Sequence, residues 1–139
     1  MDSKRFVTGS IVGGIVLFLT GYVIFNIVLR SFFETNMGSA TGLARDPPFL
    51  WAIALGCLAY AVLICYAMGA RGATGLGGGI RVGAIVGFLL WLTADLISYG
   101  STNATTLTAV LVDAVAAAVH GGIGGAAIGL LVSKMKPGT

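Results

Sequence analysis

Four apolar runs, at residues 6–29, 49–68, 81–99 and 105–133, leave this chain few ways to fold. Each supplies about 20 residues or more, enough for a helix to cross roughly 30 Å of hydrocarbon. In that medium every backbone N–H and C=O must be satisfied within the segment, which selects helices. Only 9% of the residues are charged and 57% are hydrophobic, against about 25% charged in a soluble domain. The expected fold is all-α: a polytopic membrane protein of one domain, residues 1–139, whose four transmembrane helices form two antiparallel hairpins in one bundle. The first run is too long, and too continuous into Tyr22 and Asn26, for a cleaved signal peptide, and it reads as a retained span.

A polar segment at residues 30–48, a glycine-rich flexible loop at residues 69–80 and a GSTNA turn at residues 100–104 are expected to join the spans. Lys4, Arg5, Arg71, Arg81, Lys134 and Lys136 fall at one end of the bundle, Arg30 and Arg45 at the other. By the positive-inside rule this asymmetry puts both termini in the cytoplasm. The net charge of +3 reflects that placement, so the expected partner is the bilayer and not nucleic acid. In ARDPPFLW, Asp46 is placed to cap the second span, with Pro47 at its first helical position. Trp51 and Tyr99 belong at the outer interface and Tyr66 at the inner one. Trp91 falls in mid-span, where its indole must find a partner or point into the bundle.

Glycines recur at four-residue spacing: Gly9 and Gly13, Gly83 and Gly87, then Gly121, Gly125 and Gly129. Such spacing lays flat ridges along one helix face, and close backbone approach is what drives helix association in lipid. The ridges serve tight packing within the bundle or an interface with another chain. The segment ARGATGLGGGIR lacks the G-K-[ST] ending of a phosphate-binding loop and is expected to be a connector. Cys57 and Cys65 lie on one helix, about 12 Å apart, and cannot pair. No histidine cluster accompanies them, so no metal site is expected and they read as packing residues.

Ionisable groups inside the spans carry the functional signal. Asp95 lies about one turn inside the outer end of the third span, and Asp113 about two turns inside the start of the fourth. An ionised carboxylate near the bilayer centre costs at least about 2.5 kcal/mol, so both should face the bundle. His120 follows on nearly the same face, about 10 Å farther in, beyond direct reach of Asp113. The hydroxyls of Thr93, Ser98, Thr102, Thr105, Thr106 and Thr108 are candidates to bridge them. Tyr22 and Asn26 reach the same depth from the first span, completing a polar intramembrane cluster in the outward half.

The run YGSTNATTLTAVLVDAVAAAV, residues 99–119, with its Y-x-x-T-N-x-x-T-L and an Asp in the following helix, resembles a group of small bacterial four-span membrane proteins classed as a domain of unknown function. GAIVGF at residues 83–88 and RDPP at residues 45–48 are similar in placement. The resemblance implies a four-helix bundle in the bacterial cytoplasmic (inner) membrane. It implies no activity and no catalytic residue.

Three functions fit this sequence. The leading one is an accessory or scaffolding subunit, packing through its glycine ridges as a homo-oligomer or within a larger membrane complex. The second is proton- or cation-coupled transport through Asp95, Asp113 and His120, which in so small a bundle requires an oligomer. The third is a haem or chlorophyll protein, with His120 as tetrapyrrole ligand. Ala116 and His120 form an A-x-x-x-H that resembles light-harvesting helices, and Gly121, Gly122 and Gly124 leave a smooth surface beside the ring. No cofactor is assigned beyond that alternative. Ser98 and Ser133 lack any nucleophile-elbow context, and no enzyme activity is expected.

Overall fold

The computed structural model describes residues 1–136. Helix α1 (Ser3–Gly21) runs on into a π-helical segment (Tyr22–Val28), followed by short α2 (Arg30–Asn36), then α3 (Leu50–Ala70), α4 (Gly75–Ser101) and α5 (Leu107–Lys134). α1 with its π segment, α3, α4 and α5 are each long and apolar enough to cross a membrane. The chain is all-α, with no strand among the described residues. Two starts are capped by side chains. Asp2 accepts from the Arg5 N–H at 3.1 Å, and the Thr106 hydroxyl accepts from the Ala109 N–H at 3.2 Å.

α5 is the central helix. Thirteen of its residues are buried, against five in α1, five in α3 and four in α4. Its alanines and glycines let neighbours close in from several sides. The tightest contact is with α4. A Cβ on Gly79 would strike the Gly125 carbonyl, one on Gly83 the Gly121 carbonyl, and one on Gly87 the Ala117 carbonyl. Cβ atoms on Gly121, Gly125 and Gly129 would in turn strike the carbonyls of Gly83, Gly79 and Gly75. Each four-residue step along α4 meets a four-residue step back along α5, an antiparallel seam of backbone on backbone. On the other side of α5, Gly9 sits against Cys65 and Ile128, and Gly13 against Ile128 and Ala61, so α1 packs between α3 and α5. Leu17, Ile64, Met68, Ile128 and Val132 fill that core.

Three expectations are corrected. Most of the glycine-rich stretch at residues 69–80 is helix, not loop: residues 71–74 make the connection, and α4 starts at Gly75. Gly72 and Gly75 hold φ of +61° and +72°, left-handed values that reverse the chain in so few residues. Gly75 and Gly79 extend the seam, and the close approach only glycine allows outweighs its poor helix propensity. At the start of α3, Asp46 is not the cap and Pro47 is not helical. Pro48 keeps Pro47 out of the helical region, the Asp46–Pro47 bond is cis, and the Phe49 carbonyl accepts the first helical N–H bonds, from Ala52 and Ile53. Finally, α4 continues through Ser101 and absorbs the first two residues of the expected GSTNA turn.

The two connectors at that end are joined. The N–H groups of Gly38 and Ala40 donate to the carbonyls of Ala104 and Asn103 at 3.2 and 3.0 Å, and the Thr106 hydroxyl donates to the Asn36 carbonyl at 2.7 Å. Gly38 is required there, because a Cβ would strike the Asn103 carbonyl. At the opposite end the Arg5 guanidinium donates to the Met135 carbonyl, tying α1 to the end of α5. Trp51, Tyr66 and Tyr99 are exposed, as interfacial anchors must be.

Gly83→Ala or Gly121→Ala is expected to destabilise the bundle by about 1–3 kcal/mol, since the obstacle is backbone that must move. Gly56→Ala, with open space around the added methyl, should leave stability unchanged or slightly raised. Unfolding by SDS in mixed micelles, followed by circular dichroism, checks this; equal costs at the three positions would refute the seam.

Candidate functional site

Continuing the seam register one turn past Gly87 and Ala117 brings Trp91 opposite Asp113. The small residues stop here. A cavity of about 440 Å³ lies between α1, α3, α4 and α5, lined by both Trp91 and Asp113. It occupies the half of the bundle nearer the joined connectors and reaches Pro48 and Leu50. Phe18, Phe25 and Ile53 supply apolar wall, and Tyr22, Asn26 and His120 supply the remaining polar groups. Four of the five residues expected in the polar cluster therefore line one space, with Tyr22 and Asn26 on its exposed side.

The fifth, Asp95, is reached through Asp113. The two carboxyl groups lie close enough across the α4–α5 contact to interact. No donor reaches the buried Asp95 Oδ2, so a hydrogen bond between the two requires a proton on one of them. One member of the pair, Asp113, lines the cavity.

His120 is fixed by α1. Its Nε2 lies 2.8 Å from the Leu17 carbonyl, which accepts only, so Nε2 carries the hydrogen. Gly21 makes this approach possible, since a Cβ there would come within 3.2 Å of the ring. Phe25 and Tyr60 meet the ring edge-on, at centroid distances of 5.7 and 5.8 Å. Nδ1 is buried without a partner. The imidazole is only 5% exposed. It does not emerge on an open helix face, and the nitrogen a tetrapyrrole metal would take is bonded to Leu17. The smooth surface expected beside it is filled: Gly121 meets α4, Gly122 lies near Ala84 and Ile80, and Gly124 meets Leu17.

The bridging hydroxyls are also corrected. Thr93 and Thr102 donate to the carbonyls four residues back, Thr105 to the Thr106 carbonyl, and Thr106 to the Asn36 carbonyl. Ser98 pairs with Thr102. Hydroxyls in a helix find the carbonyl four residues back more readily than a distant side chain. The space between Asp113 and His120 is cavity.

Tyr60, Gly21 and Phe25 are site residues that sequence reasoning missed. Tyr60 is buried, and its hydroxyl sits over the seam where a Cβ on Gly87 or Gly121 would strike it. A single tyrosine within LGCLAYAVLI was the available signal. Phe25 comes into place through the π segment, where the Leu29 N–H reaches back five residues to the Ile24 carbonyl at 2.8 Å. Such widened turns are rare and concentrate at functional sites.

The two cysteines report on this geometry. Cys57 lines the cavity and Cys65 is fully buried. A small neutral thiol reagent is expected to modify Cys57, which it can reach through the cavity, and to leave Cys65 unmodified. Mass spectrometry of the native protein in detergent checks both; modification of Cys65 as fast as Cys57 would contradict the arrangement.

Comparison of the chain with protein-family models, with curated proteins and with solved structures gives no match, and the functional argument rests on the cavity and its carboxyl pair.

Proposed function

We propose that this chain is a bacterial cytoplasmic-membrane protein, with both termini in the cytoplasm, that carries out proton- or cation-coupled transport through Asp95, Asp113 and His120. The observation that carries the reading is a carboxyl pair in an apolar bundle with one member lining a cavity. Polar glue between helices needs the hydrogen bond but no adjoining space. A group that must gain and lose a proton or cation needs both.

The accessory-subunit reading has less support. Its surface was the glycine ridges, and Gly9, Gly13, Gly83, Gly87, Gly121, Gly125 and Gly129 all pack against helices of the same chain. A partner would have to use other residues. For transport, the half of the bundle beyond His120 is closed by the seam and by the Leu17 and Ile128 core. The proposed working form is therefore a homo-oligomer, in which a second copy completes the pathway.

Purified protein in liposomes under an imposed membrane potential should acidify or alkalinise the lumen faster than empty liposomes, read by an internal pH dye. Asp113→Asn and His120→Ala should each slow that flux by at least about tenfold, the loss expected when a relay group is removed. Flux unchanged in both variants, or no flux above empty liposomes with any cation gradient, rejects the proposal.

A further inference from the structure

The cavity's chemistry identifies a class of ligand. Its volume, about 440 Å³, falls within the range of roughly 300–1,000 Å³ typical of small-molecule sites. Phe18, Phe25 and Trp91 present aromatic surface, and no lysine or arginine among the described residues lines it. Of the polar side chains that line it beside His120, the Asp113 carboxyl can accept from a donor, and the Tyr22 hydroxyl and Asn26 amide can both accept and donate. A lipid acyl chain would leave the Asp113 carboxyl without a partner in a largely apolar space. A bare metal cation is poorly served, since no group of three or more His, Cys, Asp or Glu is assembled among the described residues and such ions want six or more oxygens.

We infer that the cavity binds a small organic ammonium, with its charged nitrogen at Asp113 and its aromatic or alkyl body between Phe18, Phe25 and Trp91. An ammonium offers N–H donors to the acceptors, and its positive charge is attracted to aromatic faces. Asp95 lies behind Asp113 and outside the cavity lining, so the pair presents the Asp113 carboxyl to the cation. The inference rests on the transport reading for its site and names what that site takes.

The test is equilibrium binding to the full-length protein in detergent, in a Trp51→Phe background that leaves Trp91 as the fluorescent reporter. Phenethylammonium should change the emission saturably. Phenethyl alcohol, its neutral isostere, should bind at least about tenfold more weakly to the same sample, and Asp113→Asn should weaken phenethylammonium by a similar factor. The alcohol comparison stands even where the Asp113 variant fails to fold. Equal binding of amine and alcohol overturns the inference, as does absence of saturation. Displacement of the amine by sodium at equal concentration overturns it too, assigning the site to an inorganic cation and leaving the transport reading intact. Charge-selective binding without flux in liposomes rejects transport and leaves the ligand class standing.

Discussion

α4 and α5 touch backbone to backbone, and the other helices take their places from that contact. Over successive turns of α4, at Gly79, Gly83 and Gly87, a methyl group would collide with a carbonyl or with Tyr60, and the Gly75 carbonyl blocks a methyl group on Gly129. Lipid supplies no hydrophobic drive for helix pairing, so association depends on dispersion between closely approaching surfaces, which these glycines permit. The seam makes α5 a buried helix and leaves its opposite face to α1 and α3. It also fixes register: with Gly83 against Gly121, the carboxylates of Asp95 and Asp113 can reach one another near the connector end. A slip of one turn in the direction that carries Asp95 away from Asp113 would separate them and leave a carboxyl group in hydrocarbon without a partner, at a cost of at least about 2.5 kcal/mol if ionised.

The second fixed point is His120. It holds α1 to α5 through the Leu17 carbonyl at the depth where the seam gives way to the cavity, and Phe25 and Tyr60 enclose its ring. A carbonyl already within a helix can accept a second bond because oxygen has two lone pairs, so the contact needs no break in α1. Beyond it the helix widens into the π segment, turning Tyr22, Phe25 and Asn26 toward the cavity. The imidazole thus forms part of the floor of a space whose walls come from four helices.

Much of this was legible from residue types alone, because lipid imposes few rules and enforces them strictly. Run length gave the four helices, and carboxylates that cannot face hydrocarbon had to face the bundle, where Asp113 does line a cavity. The glycine spacing marked the packing faces, although it did not identify which helix each would meet. What escaped detection depended on tertiary contact. Gly75–Gly79 reads as a flexible stretch until a second glycine helix lies against it. Asp46 looks like a cap until the consecutive prolines delay helix formation to Leu50. Tyr60 is one apolar ring among many until the seam leaves room for its hydroxyl, and nothing local in YVIFNIV marks a widened turn.

Under the transport proposal, a carboxyl pair beside a largely apolar cavity has a specific advantage. A site in a low-dielectric bundle tolerates little change in net charge, since attraction and desolvation are both large there. In the proposed cycle an arriving ammonium is accommodated at constant charge by release of one proton from the pair, and its departure by uptake of one. Asp95 and Asp113 can make that exchange without breaking their mutual hydrogen bond, because one remaining proton is enough to hold it. A single buried carboxyl would lose its hydrogen-bonded partner at each cycle. The seam holds the two helices that carry the pair in register, so that the proposed exchange would change what Asp113 faces and not how α4 meets α5.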